Sequence, residues 1–360
     1  MRLHFLIKSV YYTQRICDKL ASFDSNGQLF VIIDANRKVF VQSPIEKFHC
    51  SLPQLNKWLQ KQDIDFIYAH FLSNSIAYVI HKTGLFNKPL AWIMWGADFY
   101  GLPQWSEHYY LVDSKPFAWK NKGLKSKFSK FLGLPSSDSV LKLIPHINYY
   151  IGYKEEYTLV SNAFASKMTY VPLEYYFSLE EFGRPEINQG KGDILLGNSD
   201  DPMNNHIDVL KKIEMQIGET HKVICPVSGA KSAYRDELQT LVENLACNVE
   251  LIHEYLETAA FFKKLDSVGF VIYGHLRQQG VGTLLPLIYS GKKVFLWEAN
   301  PFYQTLKRWG ILVYPLDSFT NSDLAPLNSK EVECQRSALE MICSQEANDA
   351  RWKNILKLGS

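Results

Sequence analysis

The segment His275-Leu-Arg-Gln-Gln-Gly-Val-Gly-Thr283 lies between an apolar run, Phe270-Val-Ile-Tyr273, and a second apolar run that ends at Gly291. A strand, a glycine-bearing turn and a helix N-terminus in that order present free backbone N–H groups and the positive end of a helix dipole, which is what a diphosphate needs. Arg277 adds a charge-assisted donor suited to phosphate oxygens, and Gly280, Gly282 and Thr283 form the start of the helix. An ordinary strand-to-helix connection would use the same glycines for tight packing. Gly280 and Gly282 alone make neither a dinucleotide fingerprint nor a phosphate-binding loop. Gln278 and Gln279 could reach a ligand or only shape the turn.

Two further blocks belong with this one. In a doubly wound domain, neighbouring strands deliver their C-terminal loops to one crevice. Glu298, just after the next apolar run, could therefore accept hydrogen bonds from ribose or sugar hydroxyls. Asn300 serves either as a polar contact or as the cap of the helix that Pro301 begins. The stretch Leu196-Gly-Asn-Ser-Asp-Asp-Pro-Met-Asn-Asn-His206 brings Asn198, Ser199 and His206 toward the same crevice, or forms a polar turn with an N-cap from Asn204.

In the first half, Met94-Trp-Gly-Ala-Asp98-Phe-Tyr100 ends an apolar strand with a glycine and then a carboxylate. Asp98 is placed either to act as a general base on a hydroxyl or to cap the next element. His70, after the strand Phe66 to Ala69, is a second candidate base or a hydrogen-bonded structural residue. Asp63-Ile-Asp65 matches a cation-binding D-x-D, but it precedes its strand where a metal site would follow one, so no essential metal is expected. Lys115, Lys120, Lys122, Lys125, Lys127 and Lys130 occur without an acidic residue, interleaved with Phe117, Trp119, Phe128 and Phe131. That mixture suits an anionic membrane surface, or else a solvated basic face.

The elements that must hold these residues follow from length and pattern. A chain of 360 residues, 46% of them hydrophobic, is long enough for two domains. Its 39 Lys plus Arg against 37 Asp plus Glu argue against a dedicated nucleic-acid binder. The six cysteines fall in no C-x-x-C pair, so neither a zinc site nor a disulfide framework is indicated and a reducing compartment is expected. The start of the chain is too quickly interrupted for a signal peptide, and no run reaches the roughly 18 to 20 apolar residues of a membrane span.

Strand-like runs at Leu3–Ile7, Leu29–Ile33, Phe66–Ala69, Leu90–Trp95 and Tyr157–Val160 alternate with helix-like stretches, the mark of α/β architecture with mainly parallel sheets. Gly, Pro and charge gather between Ser178 and Gly192, the signature of a connection. The expected organisation is a first domain over 1–180, a linker over 181–192, a second domain over 193–325 and a helical tail over 326–360 that packs back across the domains. In the second domain strands are expected at 193–196, 222–227, 249–252, 268–273, 293–297 and 311–314, with helices at about 205–217, 232–245, 256–265 and 282–289.

With these residues in view, the chain resembles the 4-alpha-L-fucosyltransferase family of TDP-sugar transferases. These add 4-acetamido-4,6-dideoxygalactose to a lipid-linked intermediate of enterobacterial common antigen. The resemblance rests on Trp95-Gly-Ala-Asp98-Phe-Tyr100, on Ile194-Leu-Leu-Gly-Asn-Ser199 with Asn205-His206-Ile207, and on Arg277-Gln-Gln-Gly-Val-Gly-Thr-Leu284 with Glu298-Ala-Asn-Pro-Phe302. The blocks span about residues 94 to 304. Asp200 stands where the family tends to have glycine, and Pro202-Met203 also departs.

The resemblance implies a GT-B fold, two Rossmann-like doubly wound domains facing a cleft. It implies inverting, metal-independent transfer without a cofactor from a dTDP-sugar to a polyprenyl-diphosphate-linked saccharide. Asp98 would be the base in the first domain, and Arg277 with the helix start at Gly282 would clamp the donor diphosphate beside Glu298. The lysine-rich stretch, with Lys120, Lys122, Lys125, Lys127 and Trp119, would bring a cytoplasmic enzyme to the anionic inner face of the plasma membrane. Two other readings fit the same residues: a GT-B transferase using another nucleotide sugar, such as a UDP-linked one, and a non-catalytic glycan-binding or scaffold protein.

Overall fold

Apolar runs nearly free of charge become strands covered on both faces, as parallel sheets require. Gln28–Ile33 and Val268–Tyr273 are buried along their whole length. In the computed structural model, which describes residues 1–9, 12–24, 27–33, 38–42, 47–118, 137–218, 220–229 and 232–359, the strands form two sheets in two units. The first unit comprises Met1–Pro103, Asn121–Tyr176 and Asn348–Ser360; the second comprises Gln104–Lys120 and Phe177–Ala347.

The sheet of the first unit contains β1 (Arg2–Ile7), β2 (Gln28–Ile33), β3 (Val39–Gln42), β4 (Lys47–Cys50), β5 (Phe66–His70), β6 (Leu90–Ile93), β7 (Tyr149–Gly152) and β8 (Thr169–Pro172). Their order is β4-β3-β2-β1-β5-β6-β7-β8. Pairing is parallel except where β3 and β4 add an antiparallel edge beyond β2. The strand order turns back between β1 and β5, so the loops after these strands diverge and leave room for a ligand.

The sheet of the second unit is wholly parallel. It contains β9 (Asp193–Leu196), β10 (Val223–Pro226), β11 (Val249–Ile252), β12 (Val268–Tyr273), β13 (Lys293–Leu296) and β14 (Val313–Pro315), in the order β11-β10-β9-β12-β13-β14. This is the doubly wound dinucleotide-fold order, with its switch point between β9 and β12. Helices His206–Ile217 and Ala233–Val242 cover the sheet, burying Ile207, Leu210, Ile213 and Leu238 against Ile194, Val223 and Phe270.

Helix starts follow their caps. Ser73, Ser232 and Asn300 each accept from a backbone N–H of their first turn, and Asn328 does so within a capping box with Glu331. The tail forms two helices. Ser329–Cys343 groups with the second unit, where Arg336 lies over the Tyr289 ring at 3.8 Å. Most of Gln345–Leu356 groups with the first, where the Trp352 indole donates to the Tyr176 carbonyl at 3.2 Å.

Sequence and structure part in three places. Tyr157–Val160, expected as a strand, lies inside helix Lys154–Phe164, because Glu156 and Val160, four residues apart, form its buried stripe. Strands β3, β4, β7 and β8 were not anticipated; the alternating burial of β3 and β4 belongs to a sheet edge rather than a core strand. Residues 104–118, which the sequence places in the first half, group with the second unit. There Leu111 N donates to Asn205 Oδ1 at 2.9 Å, Asp208 accepts from Asp113 N and from Ser114 N and Oγ, and Phe117 meets Tyr234 at 5.5 Å.

Candidate functional site

The loops after β9 and β12 meet at the switch point of the second unit through glycines. A Cβ on Gly274 would lie 2.4 Å from the Asn204 carbonyl oxygen, and one on Gly280 would lie 2.6 Å from Asn198 Nδ2. Gly280 also has φ +68°, which admits glycine without the strain a side chain would bring. The two loops therefore run in direct contact, and their polar groups interlock. Asn204 Oδ1 accepts from Asn198 N at 2.8 Å, and its Nδ2 donates to Ser199 Oγ at 3.2 Å. Gln279 Nε2 reaches Asn198 Oδ1 at 3.2 Å and Ser199 Oγ at 3.4 Å.

The backbone of the β12 loop is pinned from both sides. Asn205, itself at φ 52°, donates to the Gly274 carbonyl at 2.8 Å, and Asn300 Nδ2 donates to the carbonyls of His275 and Arg277 at 3.0 Å each. Asn300 also caps helix Pro301–Arg308 through Phe302 N at 2.9 Å, the capping role expected of it, while its amide nitrogen is engaged by the loop backbone.

Helix Val281–Tyr289 begins directly after Gly280, and no side chain caps it. Its first N–H groups, at Val281 and Gly282, thus lack the side-chain acceptor that most helix starts supply, the condition for an anion site. Arg277 is buried beside this turn; its Nη2 lies 3.3 Å from Asp201 Oδ2, and its Nε lies 2.9 Å from Met203 Sδ. Met203, which departs from the family pattern, is thus one of the residues against which Arg277 is held.

An Asp201→Asn substitution keeps the oxygen that caps Met203 N at 3.0 Å but removes the carboxylate that competes for Arg277. The charge is partly exposed and is worth about 1 kcal/mol, so anion binding at this turn should tighten roughly fivefold. Titration calorimetry with a nucleoside diphosphate reads this directly, and weaker binding in the variant would refute the competition.

Other predicted residues take different places. Glu298 is exposed, with its backbone N–H on Asp317 Oδ2 at 2.9 Å and its side chain beside the Tyr303 phenol. His206 is fully buried, where burial lowers its pKa to about 3, and its Nδ1 faces Tyr234 Oη at 3.2 Å, so it builds the crevice floor as a neutral ring. Thr283, Gln278 and Gly282 are half-buried along the helix start.

A group that sequence reasoning did not single out lies in the same loop. His275 is wholly buried with neither ring nitrogen hydrogen-bonded, and Tyr273 Oη and Gln279 Oε1 also lack partners. Burial, then the charge of Arg277, holds the His275 pKa well below its usual value. No sequence signal marks it, because its isolation depends on where Asn205 and Asn300 fix the backbone.

In the first unit both expected bases are otherwise engaged. Asp98 Oδ2 accepts from Leu72 N at 3.0 Å and Trp92 Nε1 at 2.6 Å, and Oδ1 accepts from Trp95 N at 3.1 Å. Burial raises the Asp98 pKa against the pull of these donors. The carboxylate is 5% exposed and ties the loops after β5 and β6 together, the geometry of a clasp rather than of a base open to substrate.

His70 belongs to a buried chain. His4 Nε2 meets Gln28 Oε1 at 2.5 Å, His4 Nδ1 meets His70 Nε2 at 3.0 Å, and His70 Nδ1 meets the Tyr176 hydroxyl. One proton assignment satisfies all three bonds: each of His4 Nε2, His70 Nε2 and Tyr176 Oη donates. His70 thus has no free nitrogen, and burial keeps its pKa well below the usual value. Of the D-x-D pair, Asp65 is paired with the terminal ammonium of Met1 at 2.6 Å. Trp119, Lys120, Lys122, Lys125 and Lys127 lie outside the described residues.

The family model described as 4-alpha-L-fucosyltransferase, glycosyl transferase group 56, matches residues 146–359, which contain the whole of the β9–β12 crevice. The chain belongs to this family. This fucosyltransferase-family protein is an enzyme, a glycosyltransferase of the GT-B fold.

Solved structures agree on the fold. A sucrose-phosphate synthase from Thermosynechococcus elongatus superposes with a TM-score of 0.61 at 11% identity, covering 99% of each chain. Anabaena HepE in complex with UDP superposes with a TM-score of 0.56 at 10% identity, covering 99% of this chain and 100% of that one. Asp98 lies outside the family match, whereas Arg277, Gly280, Glu298 and Asn300 lie within it. No helix among the described residues is long and apolar enough to cross a membrane.

Proposed function

We propose that this transferase moves 4-acetamido-4,6-dideoxygalactose from a dTDP-sugar to a polyprenyl-diphosphate-linked saccharide, with inversion and without a metal or other cofactor. The observation that supports it most is the uncapped start of helix Val281–Tyr289 with the Arg277 guanidinium beside it. In this reading the helix N–H groups and Arg277 stabilise the charge that grows on the departing nucleoside diphosphate, supplying the positive field that a cation supplies elsewhere. The polar groups of Asn198, Ser199 and Gln279 face the sugar and ribose. The first unit binds the acceptor, and the enzyme works as a peripheral protein at the cytoplasmic face of the membrane.

A second reading, a UDP-linked donor, draws on the UDP complex of Anabaena HepE. A thermal-shift panel separates the two. At a hundredfold excess over Kd a ligand of the native state adds about 2.7 kcal/mol, so the dTDP-sugar should raise Tm by more than any UDP-sugar at equal concentration. The reverse order supports the second reading, and no response to either class would overturn both. Arg277→Ala should weaken the stabilising nucleotide by about 1.5 to 3 kcal/mol, the worth of a charge-assisted contact; unchanged affinity would remove Arg277 from the site.

A further inference from the structure

The turn that Asp98 clasps lies at the carboxyl edge of the first sheet, on residues that no donor contact requires. After β6 the chain passes through Trp95 and then Gly96 at φ 101°, and after β5 it passes through Phe71 at φ 65°. A bulky residue in the left-handed region is an outlier that the surroundings must hold, and such strain gathers where side chains are aimed at ligands. Here the surroundings are visible. Asp98 accepts from Trp95 N and Leu72 N, one residue from each strained position, and Phe71 N donates to the Ile93 carbonyl at 3.1 Å.

The strained turn holds an indole at the protein surface. Trp95 is half-buried; its Nε1 is turned into the protein, enclosed and without a hydrogen-bond partner. Tyr12, 39% exposed, meets its ring edge-on at 5.6 Å and 75°, and Tyr176 backs it at 4.7 Å. Tyr176 in turn packs on Trp352 at 4.9 Å. A half-exposed indole ring, steadied by further rings, has the chemistry that recognises a saccharide. The apolar C–H face of a sugar lies on such a ring.

We propose that Trp95, flanked by Tyr12, is the platform for the saccharide of the acceptor, and that Asp98 is a positioning residue that fixes this platform. The inference rests on the acceptor reading above for the identity of its ligand. It gives the carboxylate a role consistent with its burial: the side chain acts through Trp95 and does not meet the substrate.

Fluorotryptophan labelling provides the test, with the Trp95 line in the fluorine NMR spectrum identified from the Trp95→Phe variant. Three probes are titrated into the full chain: N,N′-diacetylchitobiose, its farnesyl-diphosphate-linked form, and farnesyl diphosphate alone. The Trp95 line should move with both sugar-bearing probes and stay fixed with farnesyl diphosphate. By calorimetry, affinity for the linked disaccharide should fall at least about tenfold in Trp95→Ala and roughly threefold in Trp95→Phe, with nucleotide affinity unchanged.

A Trp95 line unmoved by all three probes, or moved by farnesyl diphosphate alone, overturns the platform. Equal affinity for the linked disaccharide in the wild-type chain and both variants does the same. Should the line move with sugar while no dTDP-sugar is turned over, the donor reading falls and the platform stands. Trp95→Phe, which preserves an aromatic ring in the turn, separates loss of the site from loss of the fold.

Discussion

Lowering the pH from neutrality to about 5 is expected to destabilise both units of the protein. Four histidines are buried as neutral rings: His4, His70, His206 and His275. Burial is the first cause in each case, and it brings His4 and His206 to about 3 and leaves His70 and His275 well below the ordinary value. The sign follows from proton counts. Below about pH 6.5 the unfolded chain binds protons that the folded chain refuses, so stability is full above that pH and falls as pH drops toward the folded pKa.

At pH 5 a ring whose folded pKa is about 3 costs on the order of 2 kcal/mol, and each unit holds one such ring, His4 in the first and His206 in the second. His70 and His275 shift stability in the same direction. Urea midpoints followed by circular dichroism from pH 7.5 to 5 would check it. A flat profile over that interval would mean that the rings are not held neutral.

The second large effect is expected at Asp98. Replacing it by alanine leaves three N–H groups, two buried on Leu72 and Trp92 and one part-buried on Trp95, without their acceptor. At about 1 to 3 kcal/mol for each orphaned donor, the first unit should lose roughly 4 kcal/mol. Asp98→Asn should lose nearly as much, because an amide nitrogen would face donors where the carboxylate accepts. Chemical denaturation measures the loss. A variant of full stability and normal acceptor affinity that has lost all turnover would instead return Asp98 to the chemistry, as a base.

That contrast shows where sequence reasoning reached. The fold was legible because it is written in local pattern. Charge-poor runs such as Phe270–Tyr273, glycines at the turns and caps such as Asn300 each carry their meaning within a few residues. The strand-turn-helix geometry of the β9–β12 crevice was legible for the same reason, since Gly280 and the helix after it follow their strand directly.

The roles of Asp98 and His70 were not legible, because their partners stand far away in the chain. His70 meets His4 from 66 residues off and Tyr176 from 106. A strand-end carboxylate or imidazole reads the same in sequence whether it faces substrate or is enclosed. His275 was missed for a related reason: an absence of partners leaves no mark in the chain. The Tyr157–Val160 segment failed on length alone, being too short a window to tell a period of two from one of 3.6.

The docking of residues 104–118 beside helix His206–Ile217 has a consequence for how this protein is inherited and recombined. The unit that carries the β9–β12 crevice is discontinuous in sequence, its short first piece lying some sixty residues ahead of the rest. A hybrid that joined the front of this chain to the back of a relative at the Ser178–Gly192 connection would therefore mix parents inside one module. Asn205 and Asp208 from one lineage would have to accept Leu111, Asp113 and Ser114 from another. Crossovers that respect the fold move both pieces together, so the two stretches are expected to evolve as a linked pair.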